Sequence, residues 1–255
     1  MSGTTGPEGR GVIVTGAGSG IGRATALRFA SLGDKVLVAD INATGAEAVV
    51  KEIEANGGTA RAVIGDLSDQ HIVDEVVTTA VESFGDLAVL VNNAGIMDTM
   101  TATADVSDAE WERVIRINLT APFLLTRAAL PHLLARGNGA IVNTASAAAL
   151  RGSAAGTAYT VSKHGIVGLT KSTAVMYRDR GIRVNAIAPG GTQTAITDSI
   201  TYDGDGAATI GRYRANVGRM GAAEEAAAAI VFLASDAASN INGVVLPVDN
   251  GWSAV

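Results

Sequence analysis

Gly11-Val12-Ile13-Val14-Thr15, then Gly16-Ala17-Gly18-Ser19-Gly20-Ile21-Gly22, then Arg23 to Leu32: the reading of this stretch decides the fold. The β-branched run suits a buried strand, the glycines end it, and the apolar residues from Ile21 to Leu32 recur at helical intervals. Strand, turn and helix follow one another without a spacer. Lys35–Ala39 (KVLVA) repeats the strand pattern, and Ala43–Asn56 reads as a helix that stops at Gly57-Gly58.

The alternation runs to the end of the chain. Further strands are predicted at Ala60–Ile64, Ala88–Asn92, Ala140–Thr144, Arg183–Ala188 and Gly243–Val248, with helical patterns between nearly all of them. Near-continuous apolar strands separated by helices require a parallel sheet covered on both faces, because each crossover must return over a face. The expected fold is α/β, a single-domain Rossmann-type doubly wound sheet of seven mainly parallel strands with helices on both faces. No linker, charge block or repeat marks a domain boundary. Residues 1–10, polar with Gly and Pro, are expected to form a flexible tail and 11–255 the domain. Within it, 193–221 breaks the rhythm with Gly, Asp, Tyr and Arg, as a mobile substrate-covering segment would.

Composition narrows the function classes. Only 17% of the 255 residues are charged and 47% are apolar, which excludes a disordered chain. A net charge of −6 leaves no broad basic surface, so nucleic acid is not expected as a partner. The absence of cysteine removes disulfides, thiolate nucleophiles and cysteine-bound metals, and it fits a reducing compartment. The mean hydropathy of +0.28 raises the question of a membrane. The longest uncharged stretches, such as Gly137–Leu150, carry Asn, Thr, Ser and Gly and fall short of a span. The expectation is a cytoplasmic protein with no membrane partner. His71, His132 and His164 show no metal-ligand spacing, so no metal is expected.

The glycine turn is also a candidate site. Gly16, Gly20 and Gly22 fit G-x-x-x-G-x-G and not the commoner G-x-G-x-x-G. Such a turn lets a pyrophosphate approach the backbone N–H groups of Ser19, Gly20, Ile21 and Gly22 at a helix N-terminus, whose dipole favours an anion. The plainer reading is a tight turn and nothing more. Asp40, at the tip of the second strand, is placed to accept hydrogen bonds from adenosine ribose hydroxyls and to repel a 2′-phosphate, which favours NAD over NADP. It could equally be the N-cap of the next helix.

Tyr159 and Lys163 stand four apart on a helical pattern that runs to Tyr177, and so share a face. A phenol needs a nearby cation to exchange protons near neutral pH, and Lys163 could supply it. On a random helix the same spacing gives a solvated pair. Ser146 follows the fifth strand, at the carboxyl edge where residues project into the crevice, and its hydroxyl could hold a substrate oxygen. Asn118 interrupts an apolar helical stretch, either as a functional amide or as one that bends the helix. Asn92-Asn93-Ala94-Gly95 closes the fourth strand; its asparagines either face the crevice or tie neighbouring strands.

Taken together, these residues resemble the short-chain dehydrogenase/reductase family in its NAD-preferring branch. The likeness rests on the Thr15–Gly22 turn, Asp40, Asp66-Leu67, Asn92-Asn93-Ala94-Gly95, Asn118, Ser146, Tyr159 with Lys163, and Pro189-Gly190 followed by Thr194, in order and at family spacing. It implies an NAD-dependent oxidoreductase moving a hydride between nicotinamide and a secondary alcohol or ketone. Tyr159 would be the general acid/base, Ser146 would polarise the carbonyl, Lys163 would bind the nicotinamide ribose and lower the tyrosine pKa, and Asn118 would hold a relay water. Asp66 and Leu67 would meet the adenine, Asn93, Ala94 and Gly95 would line the cofactor, and the segment with Pro189, Gly190, Thr192 and Thr194 would hold the carboxamide. A homotetramer is the implied assembly.

Three departures stand out: Thr192 where an apolar β-branched residue is usual, Met176 in place of a common Glu, and Asp249-Asn250-Gly251 in place of Asp-Gly-Gly. Ile196, Ile200, Tyr202, Ile210 and Tyr213 in the covering segment, with Ala147–Leu150, suggest a hydrophobic, cyclic alcohol. Two alternatives are a 3-oxoacyl thioester reductase of the acyl-carrier-protein type, which Asp40 and the acidic surface disfavour, and a nucleotide-binding regulator without chemistry.

Overall fold

The computed structural model describes residues 9–194, 196 and 204–255. Seven strands form one sheet: β1 (Gly11–Thr15), β2 (Lys35–Asp40), β3 (Thr59–Ile64), β4 (Val89–Asn92), β5 (Gly139–Thr144), β6 (Ile182–Pro189) and β7 (Val245–Val248). Their order is β3-β2-β1-β4-β5-β6-β7, and every pairing is parallel. The helices between them are α1 (Gly20–Ser31), α2 (Ala43–Ala55), α3 (Gln70–Phe84), α4 (Asp108–Ile115), α5 (Ala121–Arg136), α6 (Thr157–Tyr177), α7 (Gly204–Gly211) and α8 (Ala223–Ala234).

Side chains alternate across a strand, so each strand feeds two cores. Val12 and Val14 of β1, Val36 and Val38 of β2 and Val142 of β5 pack under α1, α2 and α8. Ile13, Leu37, Leu90, Ile141 and Val184 project to the other face, under α3, α5 and α6. Each such burial stabilises the fold by roughly 1.5–3 kcal/mol, which is why the strands read as unbroken apolar runs in the sequence.

The sheet grows in opposite directions from β1, towards β2 on one side and β4 on the other. At that switch point the loops after β1 and β4 diverge and leave a crevice at the carboxyl edge. They approach closely before they part: a Cβ on Gly16 would lie 2.8 Å from Ala94 Cα.

The expected and observed elements differ in detail. β2 extends to Asp40, and β7 starts at Val245, where its pairing with Ala186 begins. Of the expected tail, residues 1–8 lie outside the described residues, and Arg10 is not loose. Its guanidinium pairs with Asp34 at 2.8 Å and donates to the Ala234 carbonyl at 3.2 Å. The irregular 193–221 stretch contains α7 and a 3-10 turn at Arg214–Val217, and a bridge between Thr192 and Gly221 closes its base. Ile200 and Tyr202 lie outside the described residues. Among those residues no helix is long and apolar enough to cross a membrane.

Candidate active site

A cleft of about 820 Å³ opens at the carboxyl edge of the sheet, near the top of the roughly 300–1,000 Å³ usual for small-molecule sites. Every residue that the sequence singled out for cofactor or chemistry lines it except Gly22 and Asn118. Gly22 serves from behind. A Cβ there would sit 2.0 Å from the Gly16 carbonyl oxygen, so only glycine lets α1 pack this close to the turn. Gly16 and Gly20 take φ of +61° and +51°, a left-handed conformation that side chains disfavour. The N-terminus of α1 has no side-chain cap and no acid in its first turn, so its N–H groups are left for an anion. The cradle therefore fits a pyrophosphate.

Asp40 is not a helix N-cap. Asn42 caps α2, accepting from Gly45 N at 3.1 Å, while the two carboxylate oxygens of Asp40 accept from Gly18 N at 2.7 Å and Asn42 N at 2.8 Å. The carboxylate thus braces the glycine turn, and Asp40 lines the cleft beside it. Asp66 accepts from the backbone and hydroxyl of Ser68 at 2.9 and 2.7 Å; these bonds hold its carboxyl below the usual carboxylate range, with help from Arg116. Leu67 is buried beside it.

The two asparagines at the end of β4 tie strands. Asn92 Nδ2 donates to Asn143 Oδ1 at 2.8 Å and to Thr126 at 3.2 Å, and Asn143 in turn donates to Thr170 on α6 at 2.9 Å. Asn93 Nδ2 donates to the Thr15 carbonyl at 3.0 Å, and the Thr15 hydroxyl accepts from the backbone N–H groups of Asn93 and Ala94 at 2.9 and 3.1 Å. The ends of β1, β4 and β5 are thereby locked around the crevice.

Tyr159, Lys163 and Ser146 meet on one wall of the cleft. Lys163 Nζ lies 5.5 Å from the centre of the Tyr159 ring and donates to the Thr144 carbonyl at 2.9 Å. Ser146 stands two residues further on, its hydroxyl accepting from Ala148 N at 3.1 Å and interacting with the phenol. Burial pushes the Tyr159 phenol up to about 12; Ser146 draws it down and Asp98 pushes it up. Burial brings the Lys163 ammonium down to about 8. Desolvation is thus the dominant influence on the phenol in the protein without cofactor, with the Lys163 ammonium 5.5 Å from the ring centre.

Asn118 is fully buried at the centre of a π-helical turn, Arg116–Thr120, between α4 and α5. Its side chain accepts from Ile96 N at 2.8 Å and donates to Ile96 O at 2.9 Å and to Ser162 at 3.2 Å. The wider turn turns the amide inward, where it fixes the loop after β4 and uses both of its N–H donors within the protein. His164 is exposed on the outer side of α6.

Ile196, Ile210 and Tyr213 of the covering segment line the cleft as expected. Ala147–Leu150 does not: Ala147–Ala149 form a buried 3-10 turn behind Ser146, and Leu150 lies outside. Met97, Met100 and Trp252 supply that apolar wall instead. Sequence reasoning also missed Asp98, 4% exposed beside Tyr159; the signal was an acid inside the apolar run Ile96-Met97-Asp98-Thr99-Met100. Thr192 is buried and donates to the Gly190 carbonyl at 3.3 Å, which accounts for a hydroxyl at an apolar position. Asn250 keeps a φ of +54°, a conformation asparagine tolerates where glycine is usual. Met176 is 71% exposed and explained by nothing within the chain.

A family model described as "Enoyl-(Acyl carrier protein) reductase" matches residues 16–253. The chain is 42% identical over 248 residues to 3beta-hydroxysteroid dehydrogenase 2 of Eggerthella lenta, covering 96% of this chain and 95% of that protein. The chain belongs to the short-chain dehydrogenase/reductase family. This short-chain dehydrogenase/reductase is also 40% identical over 242 residues to the cyclohexanol dehydrogenase of Acinetobacter sp. strain SE19, covering 95% of this chain and 94% of that one. The crystal structure of levodione reductase superimposes with a TM-score of 0.88 at 38% identity, covering 96% and 98% of the two chains. The protein is an oxidoreductase acting on CH–OH groups, in a family that uses nicotinamide cofactors.

Proposed function

We propose that this protein is a cytoplasmic, NAD-dependent dehydrogenase that oxidises a hydrophobic, cyclic secondary alcohol to its ketone. The convergence of Tyr159, Ser146 and Lys163 on one wall of the cleft carries this reading. NAD, held by the glycine turn, Asp40, Asp66, Leu67, Asn93, Ala94, Gly95 and the segment from Pro189 to Thr194, supplies the hydride acceptor. Ser146 holds the substrate oxygen, and Tyr159 takes its proton when the carbinol is oxidised. Lys163 holds the nicotinamide ribose and, while protonated, favours the phenolate. The side chain of Asn118 is engaged by Ile96 and Ser162, so a relay water would be held by its main-chain carbonyl.

The preference for NAD rests on Asp40, which lines the cleft beside the glycine turn and whose charge would repel a 2′-phosphate. The cyclic substrate is supported by the wall of Met97, Met100, Ile210 and Trp252, and by the relatives that act on cyclohexanol and a hydroxysteroid. We assign a homotetramer on the outer face of α6, where Val161, Val175 and Met176 stay exposed. One rival is reduction of a 3-oxoacyl thioester with NADPH, favoured by a relative named 3-oxoacyl-[acyl-carrier-protein] reductase from Thermotoga maritima, 37% identical over 244 residues. Following NAD reduction with cyclohexanol and a 3β-hydroxysteroid, beside NADPH oxidation with an acetoacetyl thioester, separates the two. Turnover confined to the thioester would overturn our reading. Tyr159→Phe should keep NADH binding, read by fluorescence, and lower turnover by about 10²-fold or more.

A further inference from the structure

Asp98 lies in the loop after β4, and its carboxylate has no solvent and no cation to answer it. It is 4% exposed, and among the described residues it pairs with no Lys or Arg. What it has is backbone. Oδ1 accepts from Met100 N at 3.2 Å and Gly156 N at 3.1 Å, and Oδ2 accepts from Tyr159 N at 2.9 Å. Gly156 is the N-cap of α6 and Tyr159 lies in its first turn, so an acid from another loop caps the helix that carries the tyrosine. The approach is built in: a Cβ on Gly156 would lie 2.6 Å from Asp98 Oδ2. The same carboxylate holds Met100 at a φ of +59°, a strained conformation for a non-glycine residue, in the turn that presents Met100 to the cleft.

We propose that Asp98 is a positioning residue that both fixes Tyr159 in the cleft and sets the pH at which its phenol gives up a proton. Two opposite charges flank the ring. Lys163, one turn along α6, lies 5.5 Å from its centre, and the Asp98 carboxylate is held to the same residue through Tyr159 N at 2.9 Å. Ser146 brings an uncharged hydroxyl from the β5 side, and the far wall of the cleft brings Tyr213 and Arg214. A buried anion disfavours a second anion beside it, so Asp98 opposes the phenolate that Lys163 favours. The phenol is thereby kept protonated until a positively charged nicotinamide adds to the ammonium. Deprotonation then waits for the loaded oxidised cofactor.

The catalytic consequence rests on the role given to Tyr159 above, but the test does not need turnover. The ultraviolet absorbance of the phenolate is titrated in each protein with and without NAD. Subtracting the matching Tyr159→Phe protein removes Tyr177, Tyr202 and Tyr213. Asp98→Asn should bring the Tyr159 midpoint down by about half a pH unit or more. Asp98→Ser keeps a hydroxyl acceptor for the helix N-terminus and should move it in the same direction. The alkaline limb of alcohol oxidation should follow. Midpoints unchanged in both variants, with only a loss of thermal stability, would reduce Asp98 to a helix cap and overturn the inference. So would a wild-type midpoint below the ordinary tyrosine value without NAD, a measurement that stands even where neither variant folds. A midpoint that moves in a protein inactive on every alcohol would support Asp98 and count against the dehydrogenase reading.

Discussion

Lys163 Nζ donates to the main-chain carbonyl of Thr144 at 2.9 Å, which ties α6 to the end of β5 and fixes the ammonium beside the Tyr159 ring. Two residues beyond Thr144 stands Ser146, so one hydrogen bond sets the spacing of the three groups that would handle the substrate oxygen. It also holds a charge in a buried place, with consequences for stability.

Burial lowers the Lys163 ammonium from 10.5 to about 8. Between those pH values the unfolded chain binds a proton that the folded one has released, so stability rises with pH across the window. Below about pH 8 the penalty is fully present; it is on the order of 3 kcal/mol. Urea denaturation between pH 7 and pH 10 should show the rise in the wild type, and Lys163→Met should abolish it. A Lys163→Met curve parallel to that of the wild type would exclude the buried ammonium as its source.

On the proposed reading, Asp40→Ala removes the charge that would repel a 2′-phosphate, together with one brace of the glycine turn. The ratio of kcat/KM for NAD to that for NADP should fall by about tenfold or more, since removing a like-charge clash is worth at least ~1.4 kcal/mol. An unchanged ratio would take Asp40 out of cofactor choice.

Asn143→Ala breaks the buried chain from Thr126 through Asn92 and Asn143 to Thr170 and leaves the Asn92 amide with Thr126 alone of its two partners. The expected cost is about 1–3 kcal/mol in chemical denaturation. A loss below half a kilocalorie would mean that water replaces the lost bonds.

Gly22→Ala should cost cofactor affinity without touching the cofactor, because the new Cβ meets the Gly16 carbonyl at 2.0 Å and forces the turn open. Isothermal titration with NADH checks this. Wild-type affinity in that variant would mean that the turn gives way easily.

The legibility of this protein in its sequence followed period and spacing. The strands β1 to β6 could be read to within a residue or so because both faces of the sheet are covered, which leaves continuous apolar runs. The glycine turn and the Tyr159-Lys163 spacing were legible because one turn and one helix each contain their whole geometry. What escaped was made by residues far apart in the chain. The cap that Asp98 places on Gly156 and Tyr159 joins a loop and a helix some sixty residues apart. Trp252 reaches the cleft only because β7 lies beside β6. Asn118 was visible as a polar interruption, but whether it faced the cleft or the core depended on the π turn around it.

By itself, then, the amino-acid sequence determined the layered fold, the cradle for an anion and the identities of the groups that could move a proton, since each is set by local periodicity or by a short run of neighbours. Only the tertiary structure decided how those groups behave. Desolvation and the charges gathered around a side chain depend on which distant segments pack over it, and they leave Tyr159 less acidic and Lys163 less basic than their types suggest.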